Sequence, residues 1–231
     1  MTNGTNFSIF APSISYVIDN ALVGYNGPLS GRRLRVSLSP IFGGLQYWEG
    51  SVDYRRYDPI LFSFLTFATR FNAIIRKGAD EAAFPMYIGR PWSVRGYDRE
   101  NAFSTGCLPE LGGLASACSA SKLIGSRTAI LNMELRFPIL RRADLGLLPI
   151  SLPPVDGQFF FDAGLAWNPG QTIGWSTPAV DVDRVRAPQA SYGFGIRMNF
   201  FNIAPLRWDY AIPLADPQRR GYWVFSLGQS F

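Results

Sequence analysis

From Gly125 to Pro138 the chain alternates residue by residue. Ala129, Leu131, Met133, Leu135 and Phe137 fall on one face, and Thr128, Ile130, Asn132, Glu134 and Arg136 on the other. The same period of two runs through 157–168, where Phe159, Phe161, Ala163, Leu165 and Trp167 oppose Gln158, Phe160, Asp162, Gly164 and Ala166. In 189–201, Ala190, Tyr192, Phe194, Ile196, Met198 and Phe200 oppose Gln189, Ser191, Gly193, Gly195, Arg197 and Asn199. Alternation of this kind predicts β-strands with two unlike faces. Noisier versions at 8–20, 32–42, 45–57, 61–76, 205–214 and 221–231 bring the predicted count to nine strands. Each is long enough to cross a bilayer when tilted, which takes about 9–11 residues.

The connections differ in length from one side to the other. Those at 42–44 and 202–205 are tight, whereas 77–124 and 168–189 are long and polar. Short turns on one side and long loops on the other are a feature of outer-membrane barrels. The segment 139–156 is longer than such a turn, and its "LGLLPISL" is expected to lie at the membrane interface. A soluble β-sandwich would also alternate, but with its apolar face in a packed core. Here the apolar face is repeatedly Phe, Trp, Tyr and Leu, while the other carries Gly, Ser, Asn, Arg and Asp. That division suits a greasy exterior and a wet lumen. The predicted fold is therefore all-β: an antiparallel up-and-down transmembrane β-barrel.

A sheet in hydrocarbon must close on itself, because each backbone N–H and C=O needs a partner. Nine strands in a meander leave the first and last parallel, and bacterial single-chain barrels use even counts. The expectation is a C-terminal portion of a larger barrel, one partial domain over 1–231. "MTNGTNFSIF" contains no secretory signal, which agrees with a missing front.

Composition narrows the chemistry. The 231 residues carry a net charge of +5, and Lys77 and Lys122 are the only lysines. The arginines are dispersed among the strands rather than clustered in a stripe, which argues against a nucleic-acid partner. The chain has no histidine, so it has neither the commonest general base nor a Ser-His-Asp triad nor a His-type zinc site. No GxSxG or phosphate-binding glycine loop occurs. No enzyme activity, metal or cofactor is expected. Cys107 and Cys118 lie in the Gly/Ser-rich "GCLPELGGLASACSASK" and are disulfide candidates, a bridge implying an oxidising compartment.

Within the long loop 77–124 stands "YIGRPWSVRGYDRENAF", rich in arginine and aromatics. Its "SVRGYDRENAF" resembles the VRGF/Y signature of the bacterial surface antigen family, the BamA- and TamA-type outer-membrane assembly barrels and their secretion relatives. The resemblance extends to "LNMELRFP", "FFFDAGLAW", "ASYGFGIRMNF" and the closing "FSLGQSF". It implies a sixteen-stranded barrel of which this chain supplies strands eight to sixteen, in the outer membrane of a Gram-negative-type bacterium. It also implies that Val94, Arg95, Gly96 and Tyr97 form the tip of the sixth extracellular loop, folded back into the lumen. Arg95 would reach Asp162 on the inner wall, with Glu134 as second candidate. Both carboxylates fall on the polar face by the alternation alone. Phe225, Leu227 and Phe231 resemble the terminal signal by which barrels are recognised for assembly. Implied partners are outer-membrane lipid and lipopolysaccharide, client outer-membrane or secreted proteins, and assembly accessory proteins. The implied function is insertion or translocation of proteins; the alternative is a passive anchor or pore domain of a larger surface protein.

Overall fold

The structure, a computed structural model, describes residues 8–61, 64–97, 122–141, 143–145, 150–175, 184–200, 204–214 and 220–228. Nine main strands follow one another: β1 (Ile14–Asp19), β2 (Pro28–Gly43), β3 (Tyr47–Ile60), β4 (Leu65–Gly78), β5 (Arg127–Leu140), β6 (Val155–Trp167), β7 (Gln189–Phe200), β8 (Ala204–Pro213) and β9 (Tyr222–Leu227). Each pairs antiparallel with the next, in chain order. The short stretches Ile9–Phe10 and Leu22–Val23 also pair with β2. They extend β1 at both ends, so the first strand is one interrupted run. The architecture is an all-β, antiparallel wall of barrel type, nine strands wide.

Burial is inverted relative to a soluble domain. On β5 the polar phase is buried, with Thr128, Asn132, Glu134 and Arg136 all hidden, while Leu131 on the apolar phase is exposed. Phe159, Tyr192, Phe194, Ile196, Trp208, Trp223 and Phe225 all point outward and are exposed. A face of this kind is stable only against hydrocarbon, since large contiguous apolar patches do not persist in water. Its rings touch across strands. Tyr210 stands opposite Phe194 on β7 and Trp223 on β9, with centroid separations of 5.6 and 5.2 Å. Trp208 and Phe225 pack at 4.8 Å, and Phe137 and Phe159 at 5.5 Å. Cross-strand aromatic pairs of this sort fix register as well as cover the wall.

Two boundaries differ from the sequence expectation. β3 continues to Ile60 and β4 begins only at Leu65. The turn between them includes Leu61, with φ of 47°, and Phe64, whose N–H donates to the Leu61 carbonyl. The local sequence "ILFSFL" has no Gly, Pro or Asn to mark a turn, and its exposed Leu61 and Phe64 continue the apolar pattern straight through it. β2 begins at Pro28, four residues before its predicted start. Within the 139–156 connection, Ala143–Leu145 pairs antiparallel with Ile150–Leu152.

The outward phase carries a test. Phe194 sits midway along β7, so Phe194→Arg is expected to destabilise the protein in lipid vesicles by about 2–4 kcal/mol. The measurement is the urea midpoint of unfolding. Little or no loss would mean that Phe194 does not face hydrocarbon.

Candidate functional site: a loop gripped by a buried charge cluster

After β4 the chain turns back into the interior of the curved sheet. Residues 88–97 lie against the inner faces of β4 to β8. Three successive carbonyls are taken by three strands. Arg207 Nη2 on β8 donates to Pro91 at 2.6 Å, Arg70 Nη1 on β4 to Trp92 at 3.1 Å, and Asn132 Nδ2 on β5 to Ser93 at 2.6 Å. Val94 is fully buried and packs with Ile88, Tyr97, Leu123, Ile130 and Ala166 in a small apolar core. Gly164 on β6 makes room for it, because a Cβ there would stand 2.5 Å from Val94 Cγ2. Gly96 has φ of +82°, which favours glycine, and its missing Cβ would press on Ala211 and Pro213. The Tyr97 hydroxyl donates to the Ala190 carbonyl at 2.9 Å, and the Tyr87 hydroxyl bonds the Tyr97 carbonyl.

Arg95 enters the centre of this arrangement. Its Nε and Nη2 grip the two oxygens of Asp162 at 2.6 and 2.8 Å. Its backbone N–H donates to the same carboxylate at 3.2 Å. Nη1 lies 3.0 Å from Glu134 and 3.2 Å from Asp209. The guanidinium also stacks on Phe160, with Cζ 3.6 Å from the ring centroid. A planar fork with donors in fixed directions can meet this geometry, and an ammonium cannot.

The carboxylates are themselves shared. Glu134 Oε2 accepts from Arg136 Nε and Nη2 at 2.9 and 2.8 Å and from Arg197 Nη2 at 2.9 Å, and Arg207 Nη1 stands 3.7 Å from Oε1. Asp209 pairs with Arg207 at 2.9 Å and accepts from Gln158. Gln158 Oε1 in turn accepts from Arg197 Nη2 at 2.7 Å. Four arginines and three carboxylates thus form one cluster, each no more than 5% exposed. Arg70, which holds Trp92, also pairs with Asp53 at 3.2 Å, and Arg55 joins the same carboxylate at 2.7 Å.

The sequence pointed to Val94, Arg95, Gly96, Tyr97, Glu134 and Asp162, and the structure brings all six together. It adds Asp209, Arg136, Arg197, Arg207 and Gln158, which the sequence reading did not assign to the loop. Their signal was present, since all lie on the polar phase of their strands. The expected wet lumen is replaced at this height by a packed ionic interior, because the loop fills it. Phe225 and Leu227 lie on the outward face of β9, exposed and remote from the cluster. Phe231, Cys107 and Cys118 fall outside the described residues, and so do the proposed terminal residue and disulfide.

An antiparallel wall with an apolar exterior, a charged interior and a long loop folded into it defines the class: a transmembrane β-barrel with an internally gripped loop. The Omp85 superfamily domain matches residues 3–231, and the chain belongs to that superfamily of bacterial outer-membrane barrels concerned with protein insertion and translocation. Among solved structures, the chain is similar in fold to BamA from Haemophilus ducreyi lacking POTRA domains 1–3. The two are 17% identical with a TM-score of 0.65, over 94% of this chain and 42% of that one. The chain therefore spans less than half the length of that protein. No curated protein matches it significantly.

Removing one partner of a buried, hydrogen-bonded ion pair typically costs about 3–5 kcal/mol. Arg95→Ala is expected to lower the unfolding free energy by about that amount and to open residues 80–97 to protease. Arg95→Lys should recover only part of the loss, because the fork is gone. The control is Arg56→Ala, whose pair with Asp58 is exposed and screened by solvent, so that its loss should change stability little. Equal effects of Arg95→Ala and Arg56→Ala would mean that the cluster does not hold the loop.

Proposed function

We propose that this chain is the wall of an outer-membrane protein assembly or translocation barrel, working without covalent chemistry. The observation that carries the reading is the pairing of β9. Among the described residues it pairs with β8 over Tyr222–Leu227 and stands at one end of the sheet order. Unpaired backbone groups are costly in hydrocarbon, so such an edge favours addition of an incoming strand by backbone hydrogen bonding. Trp223, Phe225 and Leu227 would present its outward face to lipid and lipopolysaccharide. Client outer-membrane or secreted proteins would be the incoming strands.

The Arg95 cluster is the second part of the proposal. By joining β5, β6 and β8 through one loop side chain, it would brace the wall beside the terminal strand while that strand's edge stays available. Val94, Gly96 and Tyr97 would seat the loop so that Arg95 arrives in register. The passive anchor or pore predicts the same brace but no effect on other barrels.

The test is assembly in lipid vesicles. Vesicles containing this chain are expected to speed folding of a small test barrel, seen as the heat-modifiable band on a gel. Arg95→Asp should slow that assembly, and adding Asp162→Arg should restore part of it. Folding no faster than in empty vesicles would favour the passive anchor. A folded Arg95→Asp variant with no rescue by the second change would remove the brace.

A further inference from the structure

Beside the loop cluster, the inner face of the sheet places like charges in one row. Arg33 on β2 stands directly opposite Arg55 on β3, and Arg55 directly opposite Arg70 on β4. Three adjacent strands thus carry three guanidinium groups at one height. Like charges at facing positions of an antiparallel pair destabilise it. Two carboxylates answer the row. Asp53 is gripped twice, by Nε and Nη2 of Arg55 at 3.0 and 2.7 Å and by the same two atoms of Arg70 at 3.2 Å each. Asp19, opposite Arg33 on β1, lies 3.5 Å from its Nε, in a loose pair whose side chains are 44 and 43% exposed.

The row faces space. A cavity of about 690 Å³ is lined, among others, by Arg33 and Arg55 from β2 and β3 and by Arg197 and Arg207 from β7 and β8. Asp19 is the one carboxylate in that lining among the described residues. Across the cavity, Arg197 and Arg207 pair with Glu134 and Asp209, within the cluster of four arginines and three carboxylates. Counted by ion pairs, each bank therefore has one arginine more than it has carboxylates, and the cavity lies between them. Positive charge around a concave space focuses the field and concentrates anions there.

The arrangement also selects among anions. Arg55 commits one edge of its fork to Asp53, two of its five N–H donors, and Arg33 is held at one loose contact. A carboxylate presents its acceptors in one plane. A tetrahedral phosphate presents oxygens in several directions, so it can accept from guanidinium groups on both banks at once. We propose that this cavity binds a phosphate group, with Arg33 and Arg55 as its ligands and Arg197 and Arg207 supplying the facing positive charge. A phosphorylated solute and a lipid headgroup share this chemistry. The inference goes beyond the assembly reading, and it requires neither strand addition nor a closed wall.

The experiment is calorimetric titration of the folded chain in uncharged detergent with inorganic phosphate, and with malonate as a carboxylate control, at a mildly alkaline pH where both are dianions. Phosphate is expected to bind about tenfold more tightly than malonate. Arg33→Gln should weaken phosphate binding about 10–100-fold, the factor for losing a hydrogen bond between charged groups. Arg32→Gln, one residue along and on the outward phase, should leave it unchanged. Asp19→Asn should tighten binding severalfold, because it removes the lining carboxylate that competes for Arg33 yet keeps an oxygen for the Ala21 N–H. A merely structural role for these two residues would not move binding in opposite directions. Displacement of phosphate by short-chain phosphatidylglycerol assigns the site to a lipid headgroup; no displacement assigns it to a solute, and either result supports the phosphate site. Absence of binding at millimolar phosphate would overturn it. So would equal affinity for malonate, or equal losses in Arg32→Gln and Arg33→Gln. If Arg33→Gln does not fold, Asp19→Asn and the malonate comparison decide.

Discussion

The structure depends on the bond between Arg95 and the carboxylates of the inner wall. Charged groups this deeply buried are costly unless each is paired and hydrogen-bonded. Asp162, Glu134 and Asp209 come from three strands, β6, β5 and β8; Glu134 and Asp209 have arginine partners on their own strands, Arg136 and Arg207, whereas Asp162 takes its cation from the loop. Arg95 meets all three from a loop. The loop's course is thereby set by an electrostatic requirement of the wall. The wall's curvature brings β8 within reach of the same loop residue. Gly195 contributes on the wall side, since a Cβ there would collide with Asp209 Oδ1.

That interior is possible because the exterior is apolar. In a soluble sheet protein the hydrophobic effect collects the aromatic face into the core and leaves charge in water. Here lipid takes the aromatic face, and the charged face is enclosed by curvature and by the loop. Most of the specific, directional bonding therefore falls on the polar phase, while the outward phase is bound only to be greasy and to fit cross-strand ring pairs such as Phe194 with Tyr210.

This division explains what could be read from the sequence. Period-two alternation encodes strand, face and membrane orientation together, so the nine strands and the inward placing of Glu134 and Asp162 were legible. Asp209 and Arg197 had the same phase but no cue to their proximity, because phase says which side of the sheet a residue faces and nothing of the curvature that brings β8 near β5. The turn at Leu61–Phe64 was expected a few residues early, at 58–60, for a different reason: apolar residues at the membrane boundary serve turn and strand alike, so periodicity could not mark where the break falls. The packed ionic interior was missed because the alternation cannot say whether the loop enters. Only the resemblance carried by "SVRGY" pointed there.

The scarcity of lysine belongs to the same physics. Lys77 and Lys122 flank the long loop and lie outside the cluster, while its four cations are all arginine. Glu134 is approached by Arg95, Arg136, Arg197 and Arg207. So many cations can share one carboxylate only if each is planar, offers donors in defined directions and tolerates weak hydration. An ammonium in the same place would hold a shell of water that this interior has no room for. The basic composition, which in a soluble chain would invite thoughts of nucleic acid, is here the consequence of building a barrel interior from shared carboxylates.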